Sequence, residues 1–243
     1  MYAHRSTHGP VDLAFTDRYG GVSVAPFDSL NLAITGEDDE AARRENLQLV
    51  LDDFAPGDEL ADIRQVHGGE IDVVERRRTS QRPAADGVVT ARAGVVLAVR
   101  AADCVPVLLA APGADGPVIG VAHAGRNGVL AEVVGALVAA MRALGADITA
   151  GQAHVGPAVC GRCYEVPAEL QTEVVAAVPA AASTTRDGTP GLDLPRAVLH
   201  QLAAAGVRDI AHDETCTIET PALFSHRRDG VTGRFAGVVW LPA

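Results

Sequence analysis

Five short apolar runs (IDVVE, DGVVT, VVLAV, VPVLLA and PVIGVA) crowd the stretch from Ile63 to Ala122, with Gly, Pro and Asp at their ends. Valine-rich runs of this length, bounded by turn formers, are strands, so the middle of the chain must fold as sheet. Helical spacing surrounds it. A helix is expected from Thr35 to Phe54, opened by a capping box at Thr35-x-x-Asp38 and burying Ala42, Leu47, Val50, Leu51 and Phe54. A second is expected from Asn127 to Leu144, where Leu130, Val133, Val134, Leu137, Met141 and Leu144 share a face and Gly145 supplies the stop. Pro167 to Ala177 is a third, with proline at its first position, and Pro195 to Ala205 a fourth, closed by Gly206. VRDIA and RFAGVVWL are late strands. Helices bracketing a strand-rich centre, without strict βαβ alternation, predict an α+β or layered α/β fold.

Charge and composition remove several functions. The net charge of −11 argues against nucleic acid, because a phosphate backbone rewards basic surfaces. All 20 basic residues are arginine, which excludes a Schiff-base lysine, a pyridoxal-phosphate enzyme and a Walker-type P-loop. No apolar run reaches membrane-spanning length and the first residues lack a secretory layout, so the default expectation is cytoplasmic. Cys104, Cys160, Cys163 and Cys216 are too few for a disulfide framework in 243 residues and fit free thiols in a reducing compartment.

Candidate chemistry gathers at His67 in RQVHG, Cys104 in AVRAADCVP and His123 in GVAHAGRNG. Two imidazoles and a thiolate are donors that zinc prefers, and three protein ligands leave a fourth position open. Cys104 follows the strand VVLAV, and His123 ends PVIGVA just before a helix, so strand ends can bring them together. Each alone has a plainer reading: a turn histidine at His67, a small buried hydrophobe at Cys104.

Other segments stay open between two readings. Gly125-Arg126-Asn127-Gly128 is either an anion site at a helix start, with Arg126 gripping phosphate, or a tight turn capped by Asn127. SHRRDG with Arg228, and GRF with Arg234, form a late basic cluster: a solvated turn or a phosphate and ribose clamp. Asn31, between Leu30 and Leu32, is a turn residue or a reader of substrate hydroxyls. Cys160-x-x-Cys163 lacks a second ligand pair at zinc-ribbon spacing and opens no helix, so neither a zinc nor a redox label is assigned to it.

Seven motifs in order, GGVSVAPFDSLNLA, RQVHG, ADGVVT, RAADCVPVLLA, GVAHAGRNGV, VGPAVCGRCYEV and CTIETPALFSHRRDGVTGRFAGVVWL, resemble the YfiH/YlmD-like proteins, long labelled polyphenol oxidases or laccase-domain proteins. The resemblance implies one α+β domain over residues 1–243, with layered mixed β-sheets flanked by helices. It implies a zinc site at His67, Cys104 and His123, which are also the catalytic centre, while the residue chemistry above supplies Asn31, Arg126, Arg228 and Arg234 as the expected substrate contacts. The implied reaction is phosphorolysis of adenosine, inosine or methylthioadenosine, with adenosine deamination as a second activity; the partners are then a purine nucleoside and phosphate. Cys163 and Cys216 fall in family motifs, which supports a structural or pocket-lining role rather than a CxxC metal site. One departure stands out. The family reads HAGWRG where this chain reads His123-Ala124-Gly125-Arg126-Asn127-Gly128, and since a helix turns about 100° per residue, Arg126 need not stand where the usual arginine does.

A copper oxidase is disfavoured by the sequence. Multicopper oxidases use repeated His-x-His pairs, and the histidines at 4, 8, 67, 123, 154, 200, 212 and 226 contain none. Copper can still substitute for zinc at such donors. Two further classes remain open: an editing hydrolase acting on peptidoglycan precursors, and a non-enzymatic metal-binding module. Neither the oligomeric state nor the general acid is legible.

Overall fold

Strands buried on both faces need cover on both sides, and the fold is built around that requirement. A computed structural model describes residues 1–76 and 82–243. The chain opens with a hairpin that sequence reasoning left unassigned, β1 (Tyr2–His8) and β2 (Val11–Thr16). Helix α1 (Glu40–Phe54) follows, and it starts five residues later than its spacing predicts. The physical reason lies in Asp38. Its carboxylate is drawn inward to Ser23 Oγ (2.7 Å) and Asn31 Nδ2 (2.8 Å). Asp39 becomes the N-cap instead, accepting from the Ala42 N–H.

The predicted central runs appear as β4 (Ile71–Val73), β5 (Gly87–Thr90), β6 (Val95–Ala101), β7 (Val105–Ala111) and β8 (Val118–Ala124), preceded by a short β3 (Glu59–Ala61). The expected second helix is two: α2 (Arg126–Leu130) and α3 (Val133–Ala143), separated at Glu132, whose φ of 54° is left-handed. The break lets α2 lie against the turn holding His67. A Cβ on Gly69 would sit 2.7 Å from the Ala131 carbonyl, so the two backbones meet with no room between them. Beyond β9 (Gln152–Val155) come α4 (Ala168–Ala177), with Pro167 at the N-cap position rather than the expected first position, then the hairpin β10 (Ala182–Thr184) and β11 (Pro190–Leu192). Helix α5 (Leu194–Ala204), β12 (Asp209–His212), α6 (His226–Asp229) and β13 (Phe235–Leu241) complete the chain.

Two sheets face each other. One runs β1-β2-β13-β6-β3 and the other β12-β9-β7-β8-β5-β4. Both are mixed, because β3, β4 and β12 pair parallel at the edges while the central pairs are antiparallel. Alternation along β7 explains its unbroken apolar run. Leu108 and Ala110 enter the core between the sheets with Leu13, Phe15, Leu97 and Val121; Val107 and Leu109 point to Val134, Leu137 and Val198 of α3 and α5. On the far side, Val50 and Phe54 of α1 cover Val96, Ala98 and Val238. The result is helix, sheet, sheet, helix. Truncating a side chain such as Leu108, fully buried, would cost about 2–5 kcal/mol.

Candidate metal centre

The centre is assembled around Asp86, the residue just before β5. Its carboxylate is fully buried and accepts from the backbone N–H groups of Val66 (3.1 Å), His67 (2.9 Å) and Gly68 (2.6 Å). This grip holds His67 at a φ of 60°, a conformation that costs energy unless the surroundings enforce it. The same carboxylate contacts His123 Nδ1 at 2.9 Å. Burial alone would raise the Asp86 pKa, but the His123 bond and the Gly68 and Val66 N–H groups together lower it.

His123 reaches the site through register: it pairs with Pro106 across β7 and β8, two residues from Cys104. With Nδ1 engaged by Asp86, Nε2 is the atom left to bind an ion. Cys104 sits in the tight β6–β7 turn beside Asp103, whose φ is 96°. The Asp103 carboxylate pins that turn by accepting from Thr217 Oγ1 (2.6 Å), Ser225 Oγ (2.7 Å) and the Arg227 N–H (2.6 Å).

The three donors meet. Ligand atoms of His67, Cys104 and His123 all lie within 4.8 Å of one another, and the two imidazole rings meet edge to face with centroids 4.8 Å apart. Gly125 closes the cradle: a Cβ there would lie 3.0 Å from His67 Cδ2 and 3.1 Å from Cys104 Sγ. Electrostatics suits a cation. Burial opposes a Cys104 thiolate, yet the charge and hydrogen bond of His123, with help from His67, pull its pKa down to about 6. Burial likewise opposes an imidazolium at His123, but Cys104 and Asp86 carry it up to about 9. Two nitrogens and a ready thiolate, with at least one coordination position unfilled by protein, form a centre able to bind a metal and present it to a ligand.

The donors lie in the wall of a cavity of about 530 Å³, within the range of small-molecule sites. Arg64, Gln65, Glu37, His226 and Arg234 also line it. Sequence reasoning singled out Arg234 but missed Arg64, Asp86 and Asp103; the one signal for Asp86 was its place in ADGVVT. Arg234 Nη1 bonds the carbonyls of Thr232 and Gly233, and burial lowers its pKa against the opposing charges of Cys104 and Asp103.

Other expected contacts land elsewhere. Asn31 lines the cavity, but its Oδ1 accepts from the Ala33 and Arg234 N–H groups and its Nδ2 donates to Asp38, so it braces the wall. Arg228 is absent from the lining, and its guanidinium donates to the carbonyls of Thr217, Thr220 and Leu223 and to Asp229, leaving it as a clasp for that loop. Arg126 also lies outside the lining and reaches Asn127 Oδ1 at 3.3 Å. Asn127 does not cap the helix, against one of its two readings: α2 begins at Arg126, with Gly125 at the N-cap position.

Comparison with known proteins bears on this arrangement. A family model described as "Multi-copper polyphenol oxidoreductase laccase" matches residues 12–242. The Bacillus licheniformis protein YfiH superposes with a TM-score of 0.86 at 28% identity, covering 99% of this chain and 100% of that one. The chain belongs to the YfiH/YlmD-like family. Neisseria meningitidis protein NMB0706 gives a TM-score of 0.87 at 30% identity, covering 100% of this chain and 99% of its own. Among curated YfiH/YlmD-like relatives, "Purine nucleoside phosphorylase ORF3" of Streptomyces griseus is 50% identical over 240 residues, 96% of this chain and 95% of that protein. Among the described residues no helix is long and apolar enough to cross a membrane.

Proposed function

We propose that this protein, as one domain over its whole length, is a zinc-dependent purine nucleoside phosphorylase. It takes adenosine, inosine or methylthioadenosine with phosphate and releases free base and the sugar 1-phosphate, ribose 1-phosphate from the first two and 5-methylthioribose 1-phosphate from the third. One observation carries the reading: a three-donor metal cradle shares a cavity of about 530 Å³ with three arginines, Arg64, Arg100 and Arg234, and full-length relatives are named purine nucleoside phosphorylase.

His67, Cys104 and His123 would hold the ion, and their mixed nitrogen and sulfur donors favour zinc, with copper as a substitute. When bound, zinc supplies a Lewis acid that offsets developing negative charge. The chain's own residues do the rest. Asp86 fixes the His123 tautomer and ring angle through Nδ1. Arg234, partly desolvated, and Arg64, an exposed residue of the cavity wall, bind phosphate oxygens and orient phosphate towards the ribose carbon. Asn31 holds the Arg234 backbone in place. Arg126 and Arg228 have no part in this scheme.

Deamination of adenosine is a second reading, favoured by the Glu37 carboxylate in the same cavity, since such a reaction pairs a metal-activated water with a carboxylate. The test is product analysis on zinc-loaded protein. Adenine and ribose 1-phosphate appearing only with phosphate support phosphorolysis; inosine forming without phosphate supports deamination. No phosphate-dependent release of base from any of the three nucleosides would overturn the principal reading.

A further inference from the structure

Outside the cavity lining, a second set of donors converges. Sγ of Cys160, Cys163 and Cys216 and a carboxylate oxygen of Glu219 all lie within 4.8 Å of one another. The pair Cys160-x-x-Cys163 wraps a tight turn in which the Cys163 and Tyr164 N–H groups donate to the Cys160 carbonyl at 2.9 and 3.0 Å. The third sulfur comes from much later in the chain. Ala158 bridges to Cys216 in parallel register, and the Thr217 N–H donates to the Ala158 carbonyl at 3.0 Å. The Cys160 N–H then points at Cys216 Sγ, 3.5 Å away.

We propose that Cys160, Cys163, Cys216 and Glu219 form a structural zinc site, separate from the His67, Cys104 and His123 centre. The donor set argues for it. Two cysteines at x-x spacing plus two further ligands from another segment is the layout of closed zinc sites. A tetrahedral ion with Zn–S bonds of about 2.3 Å places its sulfurs about 3.8 Å apart, inside the spread already present. Four protein donors leave no open position, which fits support rather than chemistry.

Charge balance follows from neighbours. Three thiolates and a carboxylate on a divalent ion leave a net negative centre. Arg186, from the β10–β11 loop, donates to Cys163 Sγ at 2.9 Å and forms a short ion pair with Glu219. Outer partners of this kind fix ligand orientation.

The site also has a structural purpose. Residues beside its ligands hold the catalytic turn: Val159 N–H donates to the Asp103 carbonyl at 3.0 Å, and Thr217 Oγ1 to the Asp103 carboxylate. An ion clamping residues 160–163 to 216–219 therefore steadies Asp103, the neighbour of Cys104.

The experiment is metal analysis of chelator-washed protein, using wild type, Cys104→Ala, His67→Ala and the double variant Cys160→Ser/Cys163→Ser. Wild type is expected to hold two zinc per chain and Cys104→Ala, His67→Ala and the double variant one each, while adding the double substitution to Cys104→Ala removes the last one. Cobalt added to metal-stripped Cys104→Ala protein is expected to give sulfur-to-cobalt charge-transfer absorption, because that variant keeps no thiolate at the first centre. Absence of zinc from Cys104→Ala and His67→Ala, or of this absorption from Cys104→Ala, overturns the proposal. So does a non-reduced mass lower by two hydrogens, which would mean that two of these sulfurs are a disulfide. No nucleoside enters these readouts, so they stand whatever the phosphorolysis assay returns.

Discussion

The two donor clusters of this protein differ in the ways that separate working sites from supporting ones. His67, Cys104 and His123 offer mixed nitrogen and sulfur donors, three in number, at the wall of a cavity. Cys160, Cys163, Cys216 and Glu219 offer three sulfurs and an oxygen and line no part of that cavity. The first is held by a buried carboxylate that orients an imidazole and a turn, the second by a backbone bridge and an arginine. An open centre needs its donors aimed by outer groups because the ion itself leaves one direction unconstrained. A closed one is shaped by its own four bonds.

The hardest test of this contrast is removal of the thiolate from the open centre. Cys104→Ala is expected to abolish zinc at the first centre and reduce phosphorolysis to background, while the melting temperature changes little. Loss of folding with retained first-centre zinc would reverse the roles assigned to the two clusters. Next comes Asp86→Asn, which leaves every ligand present but spoils the group that aims them. Zinc affinity at the first centre should fall about 10–100-fold, read by competition with a chromophoric chelator; an unchanged affinity would mean that the His123 contact aims nothing.

Arginines sharpen the comparison within the cavity wall. Arg234→Ala should raise the KM for phosphate about ten-fold or more, the scale of a lost charge-assisted hydrogen bond, with less effect on kcat. Arg228→Ala should leave that KM alone and lower the melting temperature, because its guanidinium is spent on carbonyls. Equal KM effects for the two would remove the distinction drawn from geometry.

The smallest effect is in protons. In the metal-free protein His123 pulls the Cys104 thiol down to about 6, and Cys104 and Asp86 push the His123 imidazole up to about 9, which favours a thiolate beside a protonated His123 at pH 8. Zinc must displace that proton. First-centre affinity should therefore fall about tenfold per unit as pH drops below about 9. Calorimetry in buffers of different ionisation enthalpy should register the His123 proton leaving. A pH-independent affinity would contradict the coupling between His123, Cys104 and Asp86.

Local pattern carried much of the architecture. Valine runs and turn formers mark β5 to β8 because a strand buried on both faces is apolar throughout, and α3 and α5 are visible because one face of each must meet that sheet. The hairpin of β1 and β2 was not legible, since exposed Tyr2–His8 carries no apolar run. The start of α1 was misplaced because the pull of Ser23 and Asn31 on Asp38 is a tertiary contact.

The site divides along the same line. Residue chemistry alone nominates His67, Cys104 and His123, since few side chains offer nitrogen or sulfur to an ion, and an arginine such as Arg234 for anions. Which of them meet is settled by strand register and by turns closed through Asp86 and Asp103, groups whose importance is invisible until distant segments pack. The same distance hid Cys216 from Cys160 and Cys163, and hid the carbonyls that occupy Arg228. Periodicity reports what neighbours along the chain must do; only folding decides which remote donors share a few ångströms.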